Sequence, residues 1–221
     1  MLMDRVEALV KEHRLFSPGQ RVIVAFSGGP DSMTLLHVLL AISQRLSLQL
    51  SLAHLNHQIR PEAAADVAFV EKVAKALHLP LRVKTVNVPR LADQQRISLE
   101  EAAREARYRF FAEVAQESDA QAVALAHHAD DQVETILMRL IRGTGMRGLQ
   151  GIPIKRPLLP GVSVVRPLLE TTREEILYYL REAQLSFVLD HSNEVTKVHV
   201  VIRELKPING GPKAYAIPVE L

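Results

Sequence analysis

A chain of 221 residues, 48% hydrophobic and 24% charged, can bury a sizeable core, which excludes a wholly disordered protein and points to one domain with an appendage. The absence of cysteine excludes disulfides, thiolate metal sites and cysteine catalysis by this chain, and fits a reducing compartment. A net charge of +2 is too small to argue for a nucleic-acid partner by itself, and no stretch approaches the roughly 20 apolar residues of a membrane span, so the expected setting is cytoplasmic, with no membrane partner.

The first stretch, MLMDRVEALVKEHRLF, breaks its apolar positions with Asp4, Arg5, Glu7, Lys11 and Glu12 and so has no signal-peptide core. RVIVAFS (21–27) is β-branched and apolar, and PDSMTLLHVLLAISQRL (30–46) follows with apolar residues at helical spacing; LQLSLAHL (48–55) and PEAAADVAFVEKVAKALHL (61–79) repeat the pair. LRVKTVNV (81–88) predicts a third strand. SLEEAAREARYRFFAEVAQES (98–118) predicts a third helix, with Ser98 and Glu101 at capping-box spacing. AQAVALAH (120–127) is a fourth strand and DDQVETILMRLIRG (130–143) a fourth helix stopped by Gly143. This alternation predicts an α/β fold, a Rossmann-like parallel sheet with helices on both faces and ligands at the carboxyl ends of its strands. Beyond Gly143, GTGMRGLQGIPIKRPLLPG (143–161) predicts a long functional loop, VSVVRPLL (162–169) a short strand, and TTREEILYYLREAQL (171–185) a helix with a threonine cap. SFVLDHSN (186–193) ends in a turn, and INGGPKAYAIPVEL (208–221) has the composition of a loop or terminal extension.

The chemistry-bearing residues fall just after the predicted strands. In SGGPDS (27–32), Gly28 and Gly29 let the backbone approach a ligand, the first amides of the following helix favour anions, Pro30 costs little in the first turn, and Ser27 and Ser32 add hydroxyls. No lysine follows, so this is not the mononucleotide motif GxxxxGK[ST], and charge compensation must come from elsewhere. Asp31 either caps the helix or brings positive charge indirectly by holding Mg²⁺. In AHHADDQVET (126–135), Asp131 and Glu134 lie three apart and Asp130 and Glu134 four apart, neighbours on one helix face. Such a cluster could bind an ammonium group and accept its proton, but capping and the helix dipole favour the same residues. His127, Asp131 and Glu134 are also spaced like metal ligands, though without a paired-histidine motif. On EEAAREARYRFF (100–111), Glu100 and Arg104 read as a helix-supporting pair, Tyr108 and Phe111 as core. From Arg139 to Arg173 the bases Arg139, Arg142, Arg147, Lys155, Arg156, Arg166 and Arg173 meet one acid, Glu170, which reads as a solvated face or a polyanion seat.

SGGPDS resembles the SGGxDS signature of the PP-loop ATP pyrophosphatases. Within that superfamily HLNHQIR (54–60), EEAAREARYRFF, AHHADDQVETILMRLIRGTGMRGLQGI (126–152) and RPLLETTREEILYYL (166–180) resemble the tRNA(Ile)-lysidine synthetases. The resemblance implies an adenine nucleotide alpha hydrolase-like fold and a ligase: ATP activates the C2 oxygen of the wobble cytidine of a CAU-anticodon isoleucine tRNA, and free L-lysine displaces AMP. It implies ATP and Mg²⁺ as cofactors, Ser27 to Ser32 on the ATP phosphates, Asp31 on Mg²⁺, and the backbone of Ala53 and His54 beside adenine. It further implies Arg107 on the phosphates or the activated base, Asp131 and Glu134 on the lysine, and Arg142, Arg147, Arg166 and Arg203 among contacts to tRNA. A homodimer is compatible with it. Residues 1–193 are then the catalytic domain, with a loop and a small helical appendage from about 143. Residues 194–221 read as a divergent extension, keeping Ile202 and Arg203 but placing His199 and Val200 where relatives carry an arginine-asparagine pair. The further tRNA-binding domains of longer relatives are expected to be absent, from either a catalytic fragment or a shortened variant. Sulfur-transferring relatives normally use cysteine, and NAD or GMP synthetases share only the loop. The alternatives are another tRNA-directed PP-loop enzyme and a noncatalytic nucleotide- or tRNA-binding module.

Overall fold

The computed structural model describes residues 2–58, 63–143, 145 and 148–188. Among them, six strands form one sheet: β1 (Arg21–Ala25), β2 (Gln49–Asn56), β3 (Leu81–Thr85), β4 (Ala122–Ala124), β5 (Lys155–Leu159) and β6 (Val162–Val165), in the order β3-β2-β1-β4-β6-β5. Every neighbouring pair is parallel except β5 with β6. Seven helices surround it: α1 (Leu2–Glu12), α2 (Pro30–Leu46), α3 (Ala63–Ala76), α4 (Val88–Gln95), α5 (Leu99–Glu117), α6 (Ala129–Ile141) and α7 (Arg173–Glu182).

The apolar runs of the central strands serve both faces because successive side chains alternate. Val22 and Val24 of β1, Ala122 and Ala124 of β4 and Val165 of β6 join a core with α1, α2, α3 and α7. Ile23, Val123 and Val164 join a second core with α4 and α5. The expected α/β architecture with helices on both faces is therefore present.

Two elements depart from expectation. Within the segment expected to be a loop, Lys155–Leu159 forms antiparallel β5, because Pro157, which lacks an amide hydrogen, lies on an edge strand with a register shift between Pro157 and Leu159. Residues 88–95, part strand by expectation, form α4: Asn87 accepts from the Arg90 amide at 2.9 Å and a proline stands in the first turn. Strand order reverses between β1 and β4, so the crevice at their carboxyl ends is where a ligand site is expected in an open sheet.

Candidate active site

The turn after β1 opens that crevice. The Phe26 amide donates to the Ala53 carbonyl at 2.9 Å, extending the β1–β2 ladder, and buried His54 contacts the Phe26 carbonyl through Nδ1 at 2.9 Å. A carbonyl only accepts, so His54 Nδ1 carries the proton. Ala53 and His54 thus anchor the turn to the neighbouring strand. Gly28 has φ +84°, and a Cβ there would lie 2.9 Å from Phe69 Cδ1, so both conformation and space require glycine. Ser32 Oγ donates to the Gly29 carbonyl (3.0 Å), which leaves Ser27 Oγ to donate to Ser32 Oγ (3.1 Å) while accepting from the Gly29 amide (3.3 Å). Both hydroxyls hold the turn in shape. Gly29 is the N-cap of α2 and has no side chain to cap it, so the first-turn amides after Pro30 face the turn as an anion cradle.

The two histidines that follow β4 enter fields of opposite sign. His128, buried, lies among three carboxylates: 3.8 Å from Asp31, 3.5 Å from Asp130 and 3.7 Å from Asp131. Asp131 also accepts the His128 backbone amide (2.8 Å), closing the start of α6, and Asp130 accepts the Arg173 amide (2.8 Å), joining α6 to α7. Asp31 Oδ1 is buried with no hydrogen-bond partner among the described residues. Burial raises the Asp31 pKa above the ordinary carboxylate range, Asp131 and Asp130 add to this, and His128 and Arg173 oppose it. An orphaned carboxylate oxygen beside an anion cradle fits a hard divalent cation. Among the described residues no group of three or more His, Asp and Glu could hold a metal by itself, so the His127, Asp131 and Glu134 triad is not formed. A Mg²⁺ here would take phosphate oxygens and water as its remaining ligands.

His127 belongs to the other field. Arg166 donates Nε–H to His127 Nδ1 (3.1 Å), Nη1–H to the Pro153 carbonyl (2.6 Å) and Nη2–H to the Tyr108 hydroxyl (3.3 Å). A guanidinium can only donate, so His127 is fixed with its proton on Nε2. Burial, then Arg166, Arg107 and Arg104, push the His127 pKa down to about 4 against the pull of Asp131. Burial, Arg107 and His54 do the same to His57, also to about 4. Arg104 and Arg156 lie over the Tyr108 ring, 5.2 and 4.4 Å from its centroid.

The structure brings Ser27 to Ser32, Ala53, His54 and Asp131 together around the crevice. Arg107 is half-buried, its burial lowers its pKa, and its charge acts on His57 and His127. Glu134 is exposed and shares an open groove of about 550 Å³ with Asp130, Val133, Leu137, Met138 and Thr172. Arg142 is exposed at the end of α6. Arg166 is corrected: at 2% exposure, with its donors engaged internally, it is an internal brace rather than a surface contact for tRNA. Arg147 and Arg203 lie outside the described residues. Sequence reading missed His128, which a histidine pair at a strand end could have signalled, and it named Arg156 only as one base of a long basic stretch. It also gave Arg104 to Glu100, whereas Arg104, Arg107 and Tyr108 form an i, i+3, i+4 stripe.

The chain is 47% identical over 193 residues to the tRNA(Ile)-lysidine synthase of Geobacter sulfurreducens, covering 87% of this chain and 40% of that one. It is 43% identical over 194 residues to that of Geobacillus kaustophilus, covering 87% and 42%. It thus spans about two fifths of the length of these relatives. Among solved structures, the U34-tRNA thiolase NcsA from Methanococcus maripaludis is similar with a TM-score of 0.70 at 16% identity, over 88% of this chain and 66% of that one. The NH3-dependent NAD synthetase of Campylobacter jejuni gives 0.55 at 15%, over 83% and 72%, and both likenesses show the fold. A family model of the PP-loop domain matches residues 2–205, and with the glycine turn, anion-facing helix and orphaned aspartate described above, the chain belongs to the PP-loop family.

Proposed function

We propose that the chain carries the ATP-using, lysine-transferring site of a tRNA(Ile)-lysidine synthase, acting in the cytoplasm on a CAU-anticodon isoleucine tRNA. The observation that supports it most is one crevice in which an anion cradle with orphaned Asp31 meets the acidic start of α6, in a chain 38–47% identical to several synthases of that name. The ATP phosphates face the turn and the first amides of α2. Mg²⁺, when bound at Asp31, neutralises charge on the phosphates. The cytidine C2 oxygen attacks the α-phosphate and pyrophosphate leaves; positioning by the turn and electrostatics supply most of the rate. The lysine ε-amine then attacks C2, the C2–O bond breaks and AMP leaves. Glu134 and Asp131 hold the ammonium and take its proton, Glu134 from the open groove and Asp131 from the start of α6.

With the intact chain, pyrophosphate release from ATP is expected to require both this tRNA and Mg²⁺, and labelled lysine to enter the tRNA. Glu134→Gln, at an exposed position, is expected to slow lysine transfer by about 10²-fold or more while sparing pyrophosphate release. Release driven by another tRNA or a small acid without lysine transfer would overturn the assignment, and ATP binding without turnover would identify a binding module.

A further inference from the structure

Four guanidiniums, those of Arg104, Arg107, Arg156 and Arg166, gather around Tyr108, and among the described residues none of them pairs with a carboxylate. Three come from two elements that the sequence alone does not bring together: Arg104 and Arg107 from one stripe of α5, Arg156 from edge strand β5. Like charges this close repel, so the fold holds them through neutral partners: the ring of Tyr108, its hydroxyl, His127 Nδ1 and the Pro153 carbonyl. Arg166 closes the back of the cluster, while Arg104 is exposed and Arg107, Arg156 and Tyr108 are half-buried. A donor set of this kind, planar, permanently charged and free of acids, matches phosphate oxygens.

Resting on the reading under Proposed function, we propose that Arg104 and Arg156, stacked on Tyr108, together with Arg107 on the same face of α5 as Arg104, form a seat for phosphodiester groups of the RNA strand that delivers its base to the crevice, separate from the cradle for the ATP phosphates. Three groups on different elements sense the charge of this seat. His57, after β2, and His127, after β4, are both held at about 4, chiefly by burial, then by Arg107 for His57 and by Arg166, Arg107 and Arg104 for His127. Burial pushes the Tyr108 phenol up, yet the hydrogen bond from Arg156 and the charges of Arg166, Arg156 and Arg104 hold it below its ordinary value. The ATP cradle, by contrast, lies beside carboxylates: Asp31, Asp130 and Asp131 stand 3.8, 3.5 and 3.7 Å from His128. The crevice is thus divided: an acidic side for a cation and an amine, a basic side for the RNA backbone.

The test measures binding of a fluorescein-labelled hairpin of the CAU anticodon stem-loop to the intact chain by anisotropy across a salt series, beside calorimetric binding of ATP and of pyrophosphate. Arg104→Gln and Arg156→Gln are each expected to weaken the RNA complex about five- to tenfold and to lower the slope of log Kd against log salt by about 0.7. ATP and pyrophosphate affinities should stay within about twofold. Arg104→Lys and Arg156→Lys, which keep the charge, should retain the slope; Tyr108→Phe, which keeps the ring but not the hydroxyl, should retain it too. Loss of ATP or pyrophosphate affinity with RNA binding intact would make this a nucleotide-phosphate seat and overturn the proposal, as would an unchanged salt slope in both glutamine variants. A wild-type chain that does not bind the hairpin at all would overturn the assigned function together with the seat, whereas wild-type binding that the variants reproduce would overturn the seat alone.

Discussion

Asp31 shows how one residue decides between two uses of the same motif. A capping aspartate stands at the N-cap and accepts an amide, but here the N-cap of α2 is Gly29 and Asp31 lies inside the first turn. Its Oδ1 is buried without a partner, and burial raises its pKa, so the ionised carboxylate costs the folded state stability instead of adding to it. Asp31→Asn removes that charge with little change of shape. The variant is expected to melt at or above the wild-type temperature while needing at least about tenfold more Mg²⁺ for pyrophosphate release. A lower melting temperature with an unchanged Mg²⁺ requirement would return Asp31 to a purely structural role. The SGGPDS pattern made glycine, proline and aspartate legible one by one. It could not show that both serine hydroxyls are engaged within the turn, because that depends on the distance between Ser27 and Ser32 after folding.

At the scale of elements, α6 is instructive. Its apolar residues have helical spacing, and the sequence reads it as one more crossover helix packed on the sheet. In the structure none of its described side chains is buried: Val133 is 57% exposed, Leu137 52% and Ile141 82%. Periodicity identifies an apolar face but not what covers it. Leu137→Gln is therefore expected to change the unfolding free energy by less than about 0.5 kcal/mol, whereas Leu36→Ala, at 1% exposure in α2, should cost about 2–5 kcal/mol. Urea titration of both variants checks the pair; a large loss in Leu137→Gln would show that α6 is packed in solution. The start signals of α4, Asn87 followed by a proline, were present in the sequence but were absorbed into a strand whose β-branched run continued through Val88. For β5 the proline rule failed for a physical reason: an edge strand needs its amide hydrogens on one side only.

For the molecule as a whole, a net charge of +2 conceals two strong local fields. Asp31, Asp130 and Asp131 surround His128, while three arginines, Arg166, Arg107 and Arg104, act on His127, so that residues adjacent in sequence meet opposite potentials. The basic side has a consequence for stability. His57 and His127 titrate near 4 in the folded chain, against an ordinary value of 6.5. Between those values the unfolded chain binds protons that the folded chain does not, so stability rises with pH across this window and is lost as pH falls from about 6.5 towards about 4. Urea midpoints measured at successive pH values should decline over that range, and His57→Gln and His127→Gln should each flatten the decline. A midpoint independent of pH there would mean that the two imidazoles are not held neutral by their surroundings.

The sequence by itself determined the alternation of strands and helices, the glycine turn after β1, the acidic start of α6 and, through five ordered motifs, the family. These depend on local backbone preference and on spacing along the chain, and both are written in residue order. Only the tertiary structure decided that Arg166 is an internal brace, that Arg104 and Arg156 share the Tyr108 ring, and that His127 and His128 face opposite fields. Those facts depend on strand order, which places β4 beside β1 and β6 beside β4, and which brings Arg104, Arg156 and Arg166 to Tyr108 and Arg166 to His127 across long stretches of chain. The reversal of strand order between β1 and β4 makes the crevice, and no local pattern encodes it.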